Sequence, residues 1–288
     1  MPVIGIDIGG TAVKLGVVRD GREIIYRDSQ PSVHDPDEMV RLLCGMIMEA
    51  RRHNFLGPVA ISTAGAIDQE GYLDANQLNF WHVPLGKMLE ERLGEQVLIE
   101  NDGICALLGE HREGALQGID SCLMITLGTG IGGGVMVEGR PLRGYRFAHA
   151  ELGHMITHVD GKPCSCGQRG CWEAYASASA LKEASGGLSP RAVIDQVRKG
   201  AFQEAWRKYL HELAQGLISL CSIFYPQAIA LGGGLSGAGR LLLDGLQEEL
   251  RRDQGYQNYY RHIRICLAQL GNNAGLIGAA AMVHKETV

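Results

Sequence analysis

One pattern is written twice in this chain, and it narrows the folds available. Val3 to Ile8 is an apolar run, Gly9-Gly10-Thr11 breaks it, Val13 to Val18 returns, and Asp20-Gly21 turns into Glu23 to Arg27. The same order recurs as Leu123 to Leu127, Gly128-Thr129-Gly130, Ile131 to Val137 and Glu138-Gly139. Apolar runs of this length divided by glycine turns read as antiparallel strands. Between the copies, Met39, Leu42, Leu43, Met46 and Ile47 recur at helical spacing. Val59 to Ala64, Val97 to Glu100, Ala228 to Leu231 and Ile263 to Leu267 read as further strands. Leu85 to Leu93, Ile104 to Glu113, Glu173 to Ala184, Phe202 to Phe224, Leu241 to Arg251 and Asn273 to Val283 read as helices. Meanders alternating with helices predict α/β layers, and the repetition predicts a duplicated domain. A chain of 288 residues has length for about two domains.

Composition removes several functions. Glycine supplies 40 of the 288 residues, about twice the usual share, and without the period of a collagen. In a globular chain that excess points to tight turns and to backbone that approaches a ligand closely. Lys and Arg number 27 against 32 Asp and Glu, a formal charge of −5 with no basic run, so a nucleic-acid surface is disfavoured. No apolar run is long enough for a membrane span, and MPVIGIDIGG has no basic region of an export signal. The cytoplasm is the expected address.

Four stretches could handle a phosphorylated ligand. In Asp7-Ile8-Gly9-Gly10-Thr11-Ala12-Val13-Lys14, two glycines let backbone N–H groups close on phosphate oxygens, Thr11 adds a hydroxyl, and Asp7 at a strand end can hold a hydrated Mg²⁺. The same residues also serve as a plain hairpin turn. From Gly128 to Gly134 there are five glycines in seven positions, more than a hairpin needs, and Thr129 could meet a terminal phosphate. A β-type run follows Gly134 where a dinucleotide fold would place a helix, which weakens that alternative. Gly232-Gly233-Gly234 suits the face of an adenine or ribose, and equally a strand-to-helix turn. Glu100-Asn101-Asp102 joins a strand to a helix: a carboxylate there can take a proton from a hydroxyl, or the Asn or Asp can cap the helix.

His154, Cys164, Cys166 and Cys171 form the most specific group, one nitrogen and three thiols over a short stretch. They fit a four-coordinate structural Zn²⁺ with no open position for water. The Cys164–Cys166 step is too short for an easy disulfide, and Gly167 and Gly170 allow the bends that converge the sulfurs. His158 is the alternative nitrogen ligand. Glu151 and Glu173 bracket this loop, and a pair of carboxylates suits the vicinal hydroxyls of a sugar; each also reads as an ordinary charged residue.

With these residues laid out, the chain resembles the sugar kinases of the ROK family, in its zinc-containing branch. The likeness spans nearly the whole sequence. It is carried by IDIGGTAVKLGVV, ENDGICALLGE, LGTGIGGG and above all ELGHMITHVDGKPCSCGQRGCWEAYASASAL, with weaker support from LGGGLS and AGLIGAA. The resemblance implies two ribonuclease-H-like domains of the actin/hexokinase ATPase type around an interdomain cleft. The small one would run over 1–116, rejoined by the helix at 273–288; the large one over 117–272 would hold the zinc loop 154–171.

The resemblance also implies roles. Asp102 would be the general base. Gly65, Gln77, Asn101, Asp102, Glu151, His154 and Glu173 would hold the sugar, with His154 using its second ring nitrogen for zinc. Asp7, Gly9, Gly10, Thr11, Lys14, Gly128, Thr129 and Gly130 would surround the phosphates of ATP and its Mg²⁺, and Gly232, Gly233 and Gly234 would line the adenosine. Family members commonly carry an Asn-Leu pair before a tryptophan in the sugar lip. Here Ala75-Asn76-Gln77-Leu78-Asn79-Phe80-Trp81 puts Gln77 in the Asn slot, with Asn76 and Asn79 as substitutes. DNA-binding members carry an extra N-terminal helix-turn-helix, whereas the first strand here opens at Val3. The expected function is ATP-dependent phosphorylation of a hexose at its 6-hydroxyl by a homodimer. The alternatives are an N-acetylmannosamine kinase and a non-catalytic sugar sensor.

Overall fold

The computed structural model describes residues 1–145 and 150–283. The chain begins with strands β1 (Val3–Ile8), β2 (Ala12–Arg19) and β3 (Glu23–Pro31), then helix α1 (Pro36–Arg52) and β4 (Val59–Thr63). Three short strands follow, β5 (Ala66–Ile67), β6 (Leu73–Ala75) and β7 (Phe80–Val83), and then α2 (Leu85–Leu93), β8 (Val97–Asn101) and α3 (Asp102–Glu113). The second half opens with β9 (Cys122–Leu127), β10 (Ile131–Val137) and β11 (Arg140–Pro141). Helices α4 (Glu173–Ala176), α5 (Ala178–Ala184), α6 (Pro190–Arg198) and α7 (Gln203–Phe224) precede β12 (Ala228–Gly232). The chain closes with α8 (Arg240–Arg252), α9 (Gln254–Tyr259), β13 (Arg264–Leu267) and α10 (Ala274–Val283).

The chain divides into two compact units. One comprises Met1–Gly118, Pro141–Ala150 and Asn272–Val288; the other comprises Ile119–Arg140 and Glu151–Gly271. The first contains a five-stranded sheet in the order β3-β2-β1-β4-β8, the second a five-stranded sheet in the order β11-β10-β9-β12-β13. In each, the first strand pairs antiparallel with the hairpin partner that follows it and parallel with a strand that arrives after a helix. The repeated sequence pattern is thus a repeated α/β sheet.

Local chemistry accounts for the elements. Asp35 caps α1 by accepting from the N–H of Glu38 at 2.9 Å, with Pro36 at the first helical position. The same helix buries Met39, Val40, Leu43, Met46, Ile47 and Ala50; each large apolar side chain contributes about 1.5–3 kcal/mol. β4 is buried along its whole length, as a central parallel strand covered on both faces must be. Helix α10 packs at backbone distance, because a Cβ at Gly5 would lie 2.8 Å from the carbonyl of Leu276.

Three features differ from the sequence expectation. The helix expected over Glu173–Ala184 breaks at Ser177, which is extended at φ −87° and ψ 171°. Its hydroxyl accepts from the N–H of Ala180 at 3.1 Å and starts α5, freeing the N–H of Ala178 to reach the carbonyl of Gly128 at 2.9 Å. The sheet β5-β6-β7 has strands of two to four residues, too short to show alternation. Helices α6 and α9 are not anticipated by the sequence reading, although Ser189-Pro190 is a capping signal in the sequence. No helix among the described residues is long and apolar enough to cross a membrane.

Candidate active site

In the first unit, the Gly9-Gly10-Thr11 turn is held from one side. Gly9 donates to the carbonyl of Ala12 at 3.1 Å, and Ser32 bonds the carbonyls of Gly9 and Thr11 through its hydroxyl and its N–H. Gln77 lies against this turn: a Cβ at Gly10 would stand 3.4 Å from the Cβ of Gln77. Asn76 and Asn79 are exposed beside it, Asn79 in the left-handed region at φ 58°.

Asp7 pairs with Lys14 across the β1–β2 ladder, Nζ to Oδ2 3.7 Å, and accepts from the hydroxyl of Ser62 at 3.0 Å. Burial pushes the Asp7 carboxyl above its usual value, and the Lys14 and Ser62 contacts pull only part of the way back. A half-buried carboxylate beside the Gly9-Gly10-Thr11 turn fits the hydrated Mg²⁺ that the sequence suggests.

The junction of β8 and α3 divides two tasks between neighbours. The side chain of Asn101 accepts from the N–H groups of Gly103 at 2.8 Å and Ile104 at 3.2 Å, so Asn101 is the cap. Its Nδ2 donates to the carbonyl of Gly65 at 2.9 Å and contacts Oδ1 of Asp102 at 3.2 Å. Asn101 is buried while Asp102 is exposed, and Oδ1 of Asp102 accepts from the N–H of Gly103 at 2.8 Å. Gly65 is needed for its backbone shape: φ is +104°, and a Cβ would lie 2.4 Å from the carbonyl of Asp74.

In the second unit, one ligand atom from each of His154, Cys164, Cys166 and Cys171 falls within 4.8 Å of the others. Nδ1 of His154 lies 3.6 Å from Sγ of Cys164, and the sulfurs of Cys166 and Cys171 are 3.6 Å apart. Tetrahedral zinc asks for about 3.5 Å between nitrogen and sulfur and about 3.8 Å between sulfurs. The soft donor set and the spacing both fit. The loop converges by backbone bonds: Cys164 donates to Gln168 at 2.9 Å, Gly170 to Lys162 at 2.8 Å and Trp172 to Met155 at 2.8 Å. His158 turns elsewhere, stacking on Tyr175 at 4.0 Å and meeting Glu212 at 3.5 Å.

Glu173 follows this loop and ties it to the glycine turn after β9. Its Oε2 accepts from the N–H of Ile131 at 2.9 Å, and Oε1 lies 3.9 Å from the sulfur of Cys164. A Cβ at Gly130 would meet Oε2 at 1.9 Å, one at Gly132 would meet the hydroxyl of Thr126 at 2.9 Å, and one at Gly133 would meet the carbonyl of Met124 at 2.1 Å. Part of the glycine excess is therefore packing. Gly128 is the open position, with nothing closer than 3.9 Å, and Thr129 is exposed next to it. Gly233 is likewise enforced, by its φ of +79° and by the backbone of Leu127, whereas a Cβ at Gly232 would come closest to the flexible end of Met124 and Gly234 faces open space. Glu151 is exposed, and its carbonyl accepts from the N–H of His154 at 3.0 Å.

Sequence reasoning missed Ser62, Ser32 and Arg143, and gave Glu100 no role of its own. Ser62 and Glu100 sit at register partners on the parallel strands β4 and β8. Both are buried polar residues, a signal visible only once the strands are known to be central. Glu100 pairs with Arg143, which no sequence spacing connects to it.

The comparisons agree with this arrangement. The glucokinase of Streptomyces coelicolor is 32% identical, over 98% of this chain and 97% of that protein. The N-acetylmannosamine kinase of Vibrio cholerae is 29% identical, over 97% of this chain and 98% of that protein. The crystal structure of a ROK family glucokinase from Streptomyces griseus, in complex with glucose and AMPPNP, superposes with a TM-score of 0.87 at 32% identity, covering 99% of this chain and 100% of that one. The fold is the mixed α/β fold of ROK sugar kinases. The ROK family profile matches residues 3–286, and the chain belongs to the ROK family.

Proposed function

We propose that the protein is an ATP-dependent hexose kinase that phosphorylates the 6-hydroxyl of glucose. The observation that carries this reading is the division of labour at the head of α3: Asn101 takes the cap, and Asp102 presents an exposed carboxylate. Full-length likeness to glucokinases and to a structure with glucose and a nucleotide bound supports the substrate pair.

In the reaction, Asp102 accepts the proton of the 6-hydroxyl as that oxygen bonds to the γ-phosphorus. The bond from the γ-phosphorus to the bridging oxygen breaks, and ADP leaves. Asn101, the Gly65 backbone, Gln77, Glu151, His154 and Glu173 orient the sugar. The N–H groups of Gly9 to Thr11 and Gly128 to Gly130, the hydroxyl of Thr129 and the ammonium of Lys14 bind the phosphates, and Gly232 to Gly234 line the adenosine. Asp7 would hold a hydrated Mg²⁺, which when bound neutralises phosphate charge. His154, Cys164, Cys166 and Cys171 would hold a structural Zn²⁺, which fixes the loop carrying His154 and Glu173. We assign the small domain to 1–116 with 273–288 and the large one to 117–272, apart from 141–150, which goes with the small one, in a cytoplasmic homodimer without nucleic-acid partners.

A coupled assay of ADP release over a panel of hexoses tests the reading. Glucose turnover is expected, and Asp102→Asn should lower kcat by about 10³-fold, within the usual range for a general base, while glucose still binds. Full activity in that variant removes the base assignment. Preference for N-acetylmannosamine, the activity in the name of the Vibrio relative, would move the substrate and leave the chemistry. Sugar binding without turnover would favour a sensor.

A further inference from the structure

We infer that Arg143 and Glu100 form the pair that positions Asp102 for proton transfer; the inference rests on Asp102 being the base. Glu100 is 6% exposed, next to last in β8. A carboxylate buried that far is costly unless it is paired and hydrogen-bonded. Both of its oxygens are engaged. Oε1 accepts from the N–H of Asn101 at 2.8 Å, and Oε2 takes the guanidinium of Arg143. Arg143 arrives from the Pro141–Ala150 segment, which belongs to the first unit although the residues before and after it in sequence belong to the second.

From Glu100 the linkage is short. The peptide N–H that Glu100 holds is that of Asn101, and Asn101 contacts both the Gly65 carbonyl and Oδ1 of Asp102. Arg143 therefore acts on Asp102 through Glu100 and Asn101 without touching the reacting atoms. The charges need this arrangement. Burial first, and then the negative charges of Glu100, Asp7 and Asp102, raise the pKa of the Cys105 thiol. Lys14 offsets Asp7 and Arg143 offsets Glu100. Without Arg143, Glu100 is a buried and uncompensated anion one peptide from the cap, and the cap must shift to relieve it.

The test compares Arg143→Ala, Arg143→Lys, Glu100→Gln and the double variant Arg143→Ala/Glu100→Gln in steady-state kinetics with glucose and ATP, with thermal melting alongside. A misplacement on the order of 1 Å costs roughly 10²-fold in rate. Arg143→Ala is thus expected to lose about 10–100-fold in kcat with less than a threefold change in the KM for glucose. Glu100→Gln keeps the acceptor for Asn101 and removes the charge, so it should lose less. It should also restore at least fivefold of kcat in the Arg143→Ala background, and Arg143→Lys should retain part of the activity. A purely structural strut gives instead kcat and melting temperature falling together, and losses that multiply in the double variant mean that the two residues act independently; either result overturns the pair. Wild-type kcat in Arg143→Ala overturns it too. If Arg143→Ala does not fold, the volume-conserving Arg143→Lys, Glu100→Gln and their double variant carry the same comparison. Inertness of the wild type toward every hexose, or full activity in Asp102→Asn, overturns the underlying reading and is distinguishable from failure of the pair.

Discussion

A methyl group added at Gly130 would meet the carboxylate of Glu173 at 1.9 Å, whereas one added at Gly128 would meet nothing closer than 3.9 Å. Two glycines of one turn thus serve different ends, and substitution separates them. Gly130→Ala should push Glu173 off the N–H of Ile131, a part-buried donor that then lacks its acceptor, at a cost of about 1–3 kcal/mol. Denaturant unfolding would register that loss, and the KM for the sugar should rise with it if Glu173 binds hydroxyls. Gly128→Ala should leave the unfolding midpoint within about 0.5 kcal/mol, as a substitution without a clash does, while the KM for ATP rises. Equal effects of the two variants would dissolve the distinction. The turn itself was legible, because runs of glycine between apolar strands have few other meanings. Which glycine faces a ligand was not, since that depends on Glu173, Thr126 and Met124 arriving from elsewhere in the fold.

At the scale of elements, the loop that carries His154, Cys164, Cys166 and Cys171 and helix α4 form one continuous device. Cys171 is followed by Trp172, fully buried with its Nε1–H on the carbonyl of Glu212 at 2.9 Å, and then by Glu173 at the start of α4. A candidate ligand sulfur, a core anchor and a candidate sugar ligand are thus consecutive. Cys166→Ser, or extraction of metal with a chelator, should loosen the loop up to Trp172. The expected readout is less than one zinc per chain by metal analysis and a 10–100-fold rise in sugar KM, the usual range for support lost around a metal site. Unchanged zinc content in Cys166→Ser would remove that thiol from the ligand set. This device was readable in the sequence because its parts are neighbours there. The break between α4 and α5 was not, because the bond from Ala178 to Gly128 joins positions 50 residues apart. The partner of Glu100 was hidden for the same reason. Short-range chemistry is written in spacing; long-range chemistry is written in the packing that spacing produces.

At the scale of the whole chain, each unit has its own core and its own buried thiols. Burial raises Cys105 in the first unit well above the ordinary thiol value, and it raises Cys122 and Cys221 in the second from 9.0 to about 12. In each case the folded state holds its proton more tightly than the unfolded chain. Stability from these thiols is therefore complete below pH 9 and should fall as pH rises from 9 toward 12, which equilibrium unfolding across that range would detect. Alkylation at neutral pH should spare all three. The two units differ in how the chain closes them. The second is finished by Gly271, but the first, begun at Met1, takes its last helix from beyond Asn272. Helix α10 is not a peripheral cover. Its Ala279 and Ala280 are fully buried against Val3, Val18, Ala60 and Cys105, and a Cβ at Gly278 would stand 1.7 Å from the carbonyl oxygen of Cys105 in α3. Backbone atoms cannot rotate away as a side chain would, so Gly278→Ala must separate two helices. Overpacking of a core costs about 1–3 kcal/mol and occasionally more, and a clash between main chains belongs at the upper end. The expected result is a loss of about 3 kcal/mol in denaturant unfolding, with the head of α3, and with it Asp102, displaced enough to reduce kcat. A variant with native stability would mean that α10 can shift at no cost, and that the first unit does not depend on the last helix of the chain.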